Sequence, residues 1–428
     1  MKVNRILMRS PILVRSCILP VLLFHMLFRV IPTQSLSVNK DKLFDRNNFR
    51  SISDPAFIIK VNDSISRRKF KANIFGSLIG YEILSHSSVE AAGATVSGTK
   101  PLVDVPMIRL RLPNGGFGRE YIALKINIKG QGPYDFMLDS GLTTELITPH
   151  LQGILGIQGR GNELSALAAG GETASNPVLE LSGASIDSGD GSFHLELPKL
   201  TAVVTDFPQE HIDPAHDPVE GMLGMELLSL FDVDFDFPNN RIRLFEPMTA
   251  SSLGLVNIPA VVINESMLIG IRVSTPNRQN GQPILGFIDC GSTFSCINWK
   301  AAEALGLPPK HNSLYKKGPT ITAVGIGNRP LTLPTVKYQI SYAGNPIVDQ
   351  DSKKLLGFES PPTNWKPWDP VQLAVGDIPV FSQILGDGSS PYEGPAALIG
   401  LDILAQRRLF LKAGMKNSRK REVAIAPY

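Results

Sequence analysis

Two stretches of this chain, whose acids lie 150 residues apart, follow one plan. The first, YIALKINIKGQGPYDFMLDSGLTTELI, spans residues 121–147; the second, MLIGIRVSTPNRQNGQPILGFIDCGSTFSCIN, spans 267–298. Each begins as an alternating strand, turns through Gly, Pro or Asn, and returns as a second apolar strand. In both copies that strand runs into an acid, a small residue and a glycine: Asp139-Ser140-Gly141 and Asp289-Cys290-Gly291. A lone Asp after a strand is ordinarily a turn residue whose side chain accepts from nearby backbone N–H groups. A repeat on the scale of a domain changes that reading, because it demands two similar halves that place their acids alike.

A second pair of matches extends the repeat. GMLGMELL (221–228) and ALIGLDIL (397–404) share the pattern apolar–apolar–Gly–apolar–acid–apolar–Leu. Gly224 follows its acid by 85 residues and Gly400 by 111, so the order is the same in both halves. Between these landmarks, period-two alternation and Gly/Pro/Asn turns dominate. Helical periodicity is confined to MELLSLF (225–231) and WKAAEALGL (299–307). The expectation is an all-β protein of two pseudo-symmetric, β-barrel-like lobes about a central cleft, over 101–250 and 251–428, joined near 247–256. Phe231 to Phe237 alternates apolar residues with acids, and Arg241 to Phe245 alternates bases with apolar residues. This reads as a hairpin with cross-strand ion pairs on a solvated face. It lacks the glycine and terminal glutamate of a calcium loop.

The two Asp-(Ser/Cys)-Gly turns, each with its downstream glycine strand, resemble the aspartic peptidases over roughly residues 105–428. The details resemble retropepsin-like lobes fused in one chain more than pepsin, since no Tyr or Trp stands between Leu142 and Gly224. The resemblance implies a bilobal acid-protease fold, with Asp139 and Asp289 meeting in the cleft as a catalytic dyad. Two adjacent carboxyls share one proton; the charged one takes a proton from water and the other polarises the scissile carbonyl. No metal or cofactor is implied, and the substrates are extended peptides or proteins. Ser140, Gly141, Cys290, Gly291 and Ser292 would support the dyad. Gly224 and Gly400 would be structural residues of ψ-shaped loops. Gly170-Gly171 and Gly325 with Gly327 would be flap tips.

The pattern departs from the family in two places. Cys290 is a weaker donor than the hydroxyl residue that locks the lobes together, which puts one half of the lock in doubt. Leu142 cannot hydrogen-bond Asp139, whereas Ser292 can reach Asp289. These departures motivate a rival reading: a protease-fold module that binds peptides or proteins with weak or no catalysis.

The N-terminal hundred residues differ in kind. Residues 1–40 contain no Asp or Glu, but carry Lys2, Arg5, Arg9, Arg15, Arg29 and Lys40 around the short apolar run CILPVLLFHMLF. That run is too short to span a bilayer comfortably, and it reads as a targeting segment with no stable span after processing. SRRKFK (66–71), a modestly apolar stretch and Ala92-Gly93-Ala94 resemble a twin-arginine export signal over 66–94. Alternatively, the Arg pair belongs to a basic linker. Two signals in series resemble thylakoid-lumen precursors, so the expected site is a plastid lumen, with the secretory pathway as the alternative.

Other features argue against competing chemistries. The net charge of +3 gives no reason to expect nucleic acid. Three cysteines, Cys17, Cys290 and Cys296, make no disulfide framework and lack zinc-site spacing. His211 and His216 fit a surface loop, and Cys290 and Cys296 read as buried, inert thiols. Asn62 and Asn264 begin N-x-S sequons, which matter only on a secretory route. Trp365 and Trp368 mark an insertion-like loop, PPTNWKPWDP, read as self-packing. KNSRKR (416–421) reads as a solvated turn before a last strand.

Overall fold

A computed structural model describes residues 21–24, 31–32, 100–112, 116–159, 161, 163–165, 167–168, 171–172, 175–206, 212–213, 215–250, 254–263, 267–276, 284–325, 330–386, 391–413 and 420–428. Apart from the short strands Val21–Phe24 and Ile31–Pro32, the targeting region lies outside these residues. So do the twin-arginine segment, both sequons and His211. Among the described residues, no helix is long and apolar enough to cross a membrane.

Both halves are built on one topology. In the first, β1 (Tyr121–Ile128) pairs antiparallel with β2 (Gln131–Leu138). After the acid turn come β3 (Glu145–Ile147) and helix α1 (Pro149–Leu155). Then β4 (Leu200–Val204) runs parallel to β3. β5 (Val219–Leu223) lies between β2, to which it is parallel, and β3, to which it is antiparallel. The second half repeats this with β6 (Ile269–Ser274), β7 (Ile284–Ile288), β8 (Cys296–Ile297), α2 (Trp299–Ala304), β9 (Val371–Val375) and β10 (Ala396–Ile399). β10 is parallel to β7 and antiparallel to β8, and β9 is parallel to β8. Both helices start at a side-chain cap: Thr148 accepts from the Leu151 N–H, and Asn298 from the Ala301 N–H.

The strands flanking the acids are apolar on both faces because both faces are covered. Phe136 and Leu138 pack into the large core with Phe287 and Ile288, whereas Met137 joins a second cluster with Tyr121, Leu142, Leu146 and Met222. Each such side chain contributes about 1.5–3 kcal/mol by leaving water. Among the described residues the sheets follow open strand orders and no closed barrel forms, within the expected all-β, two-lobed architecture.

The acid–base hairpin also departs from its reading. Its strands, Asp232–Asp236 and Arg241–Phe245, pair as expected, with Asp234 opposite Arg243 and Asp236 opposite Arg241. The face is not solvated: Asp232, Asp234 and Asp236 are all buried. The first half's hairpin lies in the second half's sheet, between Val103–Pro106 on one side and Leu409–Leu411 on the other. Arg408 grips Asp234 with two nitrogens at 2.7 and 2.6 Å, and Arg243 reaches Asp234 and Asp236 at 2.9 Å. Asp232 accepts the Ala250 and Ala413 N–H groups. Asp232 and Asp234 thus bind the halves together.

The tryptophan loop packs on itself, as read. Trp365 and Trp368 meet edge to face at 5.3 Å, and Arg407 lies 4.8 Å from the Trp365 ring centre while holding the Pro367, Ala426 and Pro427 carbonyls. The basic segment read as a turn over 416–421 is corrected at its end: Lys420 and Arg421 belong to the last strand, Lys420–Ile425, while residues 416–419 lie outside the described set.

Candidate active site

The repeat becomes geometry at the two acid turns. The Asp139 N–H donates to the Leu223 carbonyl at 3.0 Å, and the Asp289 N–H to the Ile399 carbonyl at 2.9 Å. The chain then turns tightly. Gly141 N–H returns to Asp139 Oδ1 at 2.8 Å, and Gly291 N–H to Asp289 Oδ1 at 2.9 Å. The Leu142 carbonyl accepts from Met225 N–H, and the Ser292 carbonyl from Leu401 N–H, at 2.7 and 2.8 Å. These bonds seat each turn against its Gly224 or Gly400 loop. A Cβ at Gly224 would stand 2.8 Å from the Leu142 oxygen, and one at Gly400 would stand 2.3 Å from the Phe294 oxygen. Both glycines therefore stand at close-packing positions.

The turn glycines carry a stronger constraint. A Cβ on Gly141 would lie 2.7 Å from Asp289 Cγ, and one on Gly291 only 2.2 Å from Asp139 Cγ. Each glycine is thus the surface against which the opposite carboxyl rests. Asp139 and Asp289 are both 0% exposed, and each carboxyl lies against the other turn's glycine. Burial first, and then the charge of Asp139, push the Asp289 carboxyl well above the usual range. Two carboxyls this close cannot both ionise cheaply, so the pair holds a proton between them.

Ser140 and Cys290 lock the two turns together. Ser140 Oγ donates to the Ile288 carbonyl at 2.9 Å and accepts from the Cys290 N–H at 3.0 Å. In mirror fashion, Cys290 Sγ donates to the Leu138 carbonyl at 3.5 Å and accepts from the Ser140 N–H at 3.2 Å. Sulfur therefore closes the half of the lock that sequence reasoning left in doubt. Its longer bonds suit its larger radius, and burial pushes the Cys290 thiol up to about 12, so it stays a protonated donor. Both Cys290 and Cys296 are free and buried.

Ser292 is a correction. Its hydroxyl donates to the Phe294 carbonyl at 2.7 Å, closing its own turn rather than reaching Asp289. The flap candidates fall on hairpins. Gly171 pairs with Ala168 across a tight hairpin, and Gly325 ends a strand, Thr320–Gly325, that pairs with Pro330–Tyr338. Gly170 and Gly327 lie outside the described residues. The backbone at Leu167–Ala168 lies beside the helix Pro379–Ile384 of the other half, so the first hairpin crosses between lobes. His216 Nδ1 stands 3.7 Å from Asp135 Oδ2, away from the dyad's turns.

Sequence reasoning missed two features. Phe117 and Arg119, ahead of β1, tie the first half to the loop after Asp289: Thr293 Oγ1 donates to the Phe117 carbonyl, and Arg119 N–H donates to the Thr293 carbonyl at 2.7 Å. Beside them, a cavity of about 320 Å³ is lined by Arg119, Asp369, Gln372, Asp402 and Gln406, among others, and does not include the dyad. The second feature is Glu145, wholly buried behind the first turn. Burial and then the charge of Glu226 raise its carboxyl well above the usual range. The second half has Ser295 there, donating to Asp402 at 2.6 Å. Only an alignment of the two repeats pairs Glu145 with Ser295.

Comparison with known proteins agrees with this geometry. Residues 124–227 match the family model described as aspartyl protease. No curated protein sequence matches the chain. Among solved structures, basic 7S globulin from soybean is similar at 10% identity, covering 76% of this chain and 95% of that chain with a TM-score of 0.39, a likeness too low to carry an argument. The matched segment holds Asp139, its turn and the Gly224 loop, and over that segment the chain is similar to the aspartyl proteases.

Proposed function

We propose that the protein is an aspartic endopeptidase that hydrolyses peptide bonds with a water activated by Asp139 and Asp289. The observation that carries this reading is the mutual seating of the carboxyls, each against the other turn's glycine, where burial and then the charge of Asp139 raise the Asp289 carboxyl well above its usual range. The charged carboxyl takes a proton from the attacking water, and the protonated one donates to the scissile carbonyl oxygen. An extended peptide pairs with the cleft strands and the hairpin formed by Leu167–Ala168 and Gly171–Glu172. The shared proton asks for mildly acidic conditions, which supports work in a lumen such as that of the thylakoid. Fractionation of intact chloroplasts tests this location, and a stromal or cytosolic protein removes it.

One observation favours a second reading, a peptide- or protein-binding module with weak catalysis: both carboxyls are 0% exposed, so substrate must first open the site. Incubating the mature protein with a random peptide library from pH 3 to 8 decides between them. Cleavage that disappears in both Asp139→Asn and Asp289→Asn supports the peptidase. A correctly folded wild type that cleaves nothing at any pH supports the binding module.

A further inference from the structure

The two acid turns match atom for atom in their backbone bonds, yet what stands across the strand pair from each acid differs. The β1–β2 register pairs Ala123 with Met137. Continued by two residues, it sets Tyr121 opposite Asp139. Directly opposed residues of an antiparallel pair share a face, with Cβ atoms about 4.5–5.5 Å apart. In the second half, the register that pairs Gly270 with Phe287 continues to Leu268 opposite Asp289. A buried phenol thus faces one acid and a buried hydrocarbon the other; both are 0% exposed.

The residues after the turn glycines do not offset this difference. Leu142 is hydrocarbon, and the Ser292 hydroxyl is committed to the Phe294 carbonyl. Burial first, then the charges of Asp139 and Asp289, raise the Tyr121 phenol well above its usual range, so it keeps its proton as a donor. Those two carboxyls are the ionisable groups facing it. The other strands packed against it contribute Val178, Val203, Val219 and Met222, all apolar.

We propose that Tyr121 is a positioning residue that breaks the symmetry of the dyad: its O–H, set across the strand pair from Asp139, favours the negative charge there and leaves the shared proton on Asp289. Asp139 is then the base that activates water and Asp289 the acid. A donor facing the charged form of a carboxyl stabilises that form. The role assignment rests on the aspartic peptidase reading; the charge asymmetry does not.

The test reads protonation without turnover. Protein labelled with carboxyl-¹³C aspartate is titrated by NMR, and Asp139→Asn and Asp289→Asn assign the two signals. In Tyr121→Phe, the lower apparent pKa of the pair rises by about one unit. The acid limb of kcat/KM moves with it, and kcat falls about tenfold with KM little changed. Site-specific fluorotyrosine at 121, a more acidic phenol of nearly equal size, moves the same pKa downward and covers the case in which the Phe variant folds poorly. Tyr134→Phe, on the opposite face of β2, leaves the titration unchanged. A folded Tyr121→Phe or fluorotyrosine protein with a wild-type titration overturns the proposal. If no variant cleaves peptide but the titration shifts as stated, the peptidase reading falls and the asymmetry stands.

Discussion

Ser140 and Cys290 each use one side-chain atom to hold two backbone groups of the opposite half. Oxygen does so at 2.9 and 3.0 Å, sulfur at 3.2 and 3.5 Å. The lock is therefore symmetric in pattern and unequal in strength. Cys290→Ala leaves the Ser140 N–H and the Leu138 carbonyl without partners, at a cost of about 1–3 kcal/mol. Cys290→Thr restores a hydroxyl and matches or exceeds the wild type. Urea denaturation of the three proteins checks the order; an Ala variant as stable as the wild type would show that sulfur contributes nothing.

The same thiols are predicted to be inert. Burial raises Cys290 to about 12 and Cys296 beyond that, so neither supplies thiolate near neutral pH. Iodoacetamide labels them only after denaturation. Rapid labelling of native protein would mean that the lobes part freely.

Gly291→Ala is predicted to cost more than its single methyl suggests. The new Cβ falls 2.2 Å from Asp139 Cγ, so either the turn or the carboxyl must move. Peptidase activity drops about a hundredfold or more, since misplacement by about 1 Å is enough for that loss. Gly141→Ala, with its contact at 2.7 Å, shows a smaller loss. Equal activity in both variants would mean the dyad tolerates rearrangement.

Stability is predicted to fall as pH rises from mildly acidic to alkaline. Glu145, Asp289 and Asp402 all have carboxyls raised above their unfolded values, each first by burial, with Asp402 at about 6. The folded state then binds more protons than the unfolded chain. Their contribution is fully present below pH ~4 and is lost as pH climbs through each folded value. Asp236 opposes this: burial raises it, but Asn239 and Arg243 outweigh burial and lower it, so its contribution is lost on strong acidification. Thermal unfolding from pH 3 to 9 should give a maximum Tm on the acid side of neutrality. Glu145→Gln should flatten the alkaline decline; a maximum above pH 8 would contradict the assignment.

The acids and glycines of the site were legible because the chain writes them twice. Asp139 with Asp289 and Gly224 with Gly400 stand in matching order, and the structure sets them in matching bonds. The lock through Cys290 was not legible, because sulfur's fitness depends on a gap that only packing sets. Ser292 looked available to its acid until the turn brought the Phe294 carbonyl closer. The alternating acids of Asp232–Asp236 looked solvated, since alternation reveals a face but not what covers it. The partner of Asp234, Arg408, comes from the far end of the chain.

That last contact sets a timetable for biogenesis. Asp234 is made 174 residues before Arg408. A nascent first half therefore holds a carboxylate destined for burial whose bidentate partner is not yet synthesised. Its neighbouring strand, Leu409–Leu411, is missing as well. The half-chain has Asp139 but not Asp289, so a stalled or truncated product cannot bring the two acid turns together. The bonds that join the two halves are completed only when nearly the whole polypeptide has been made.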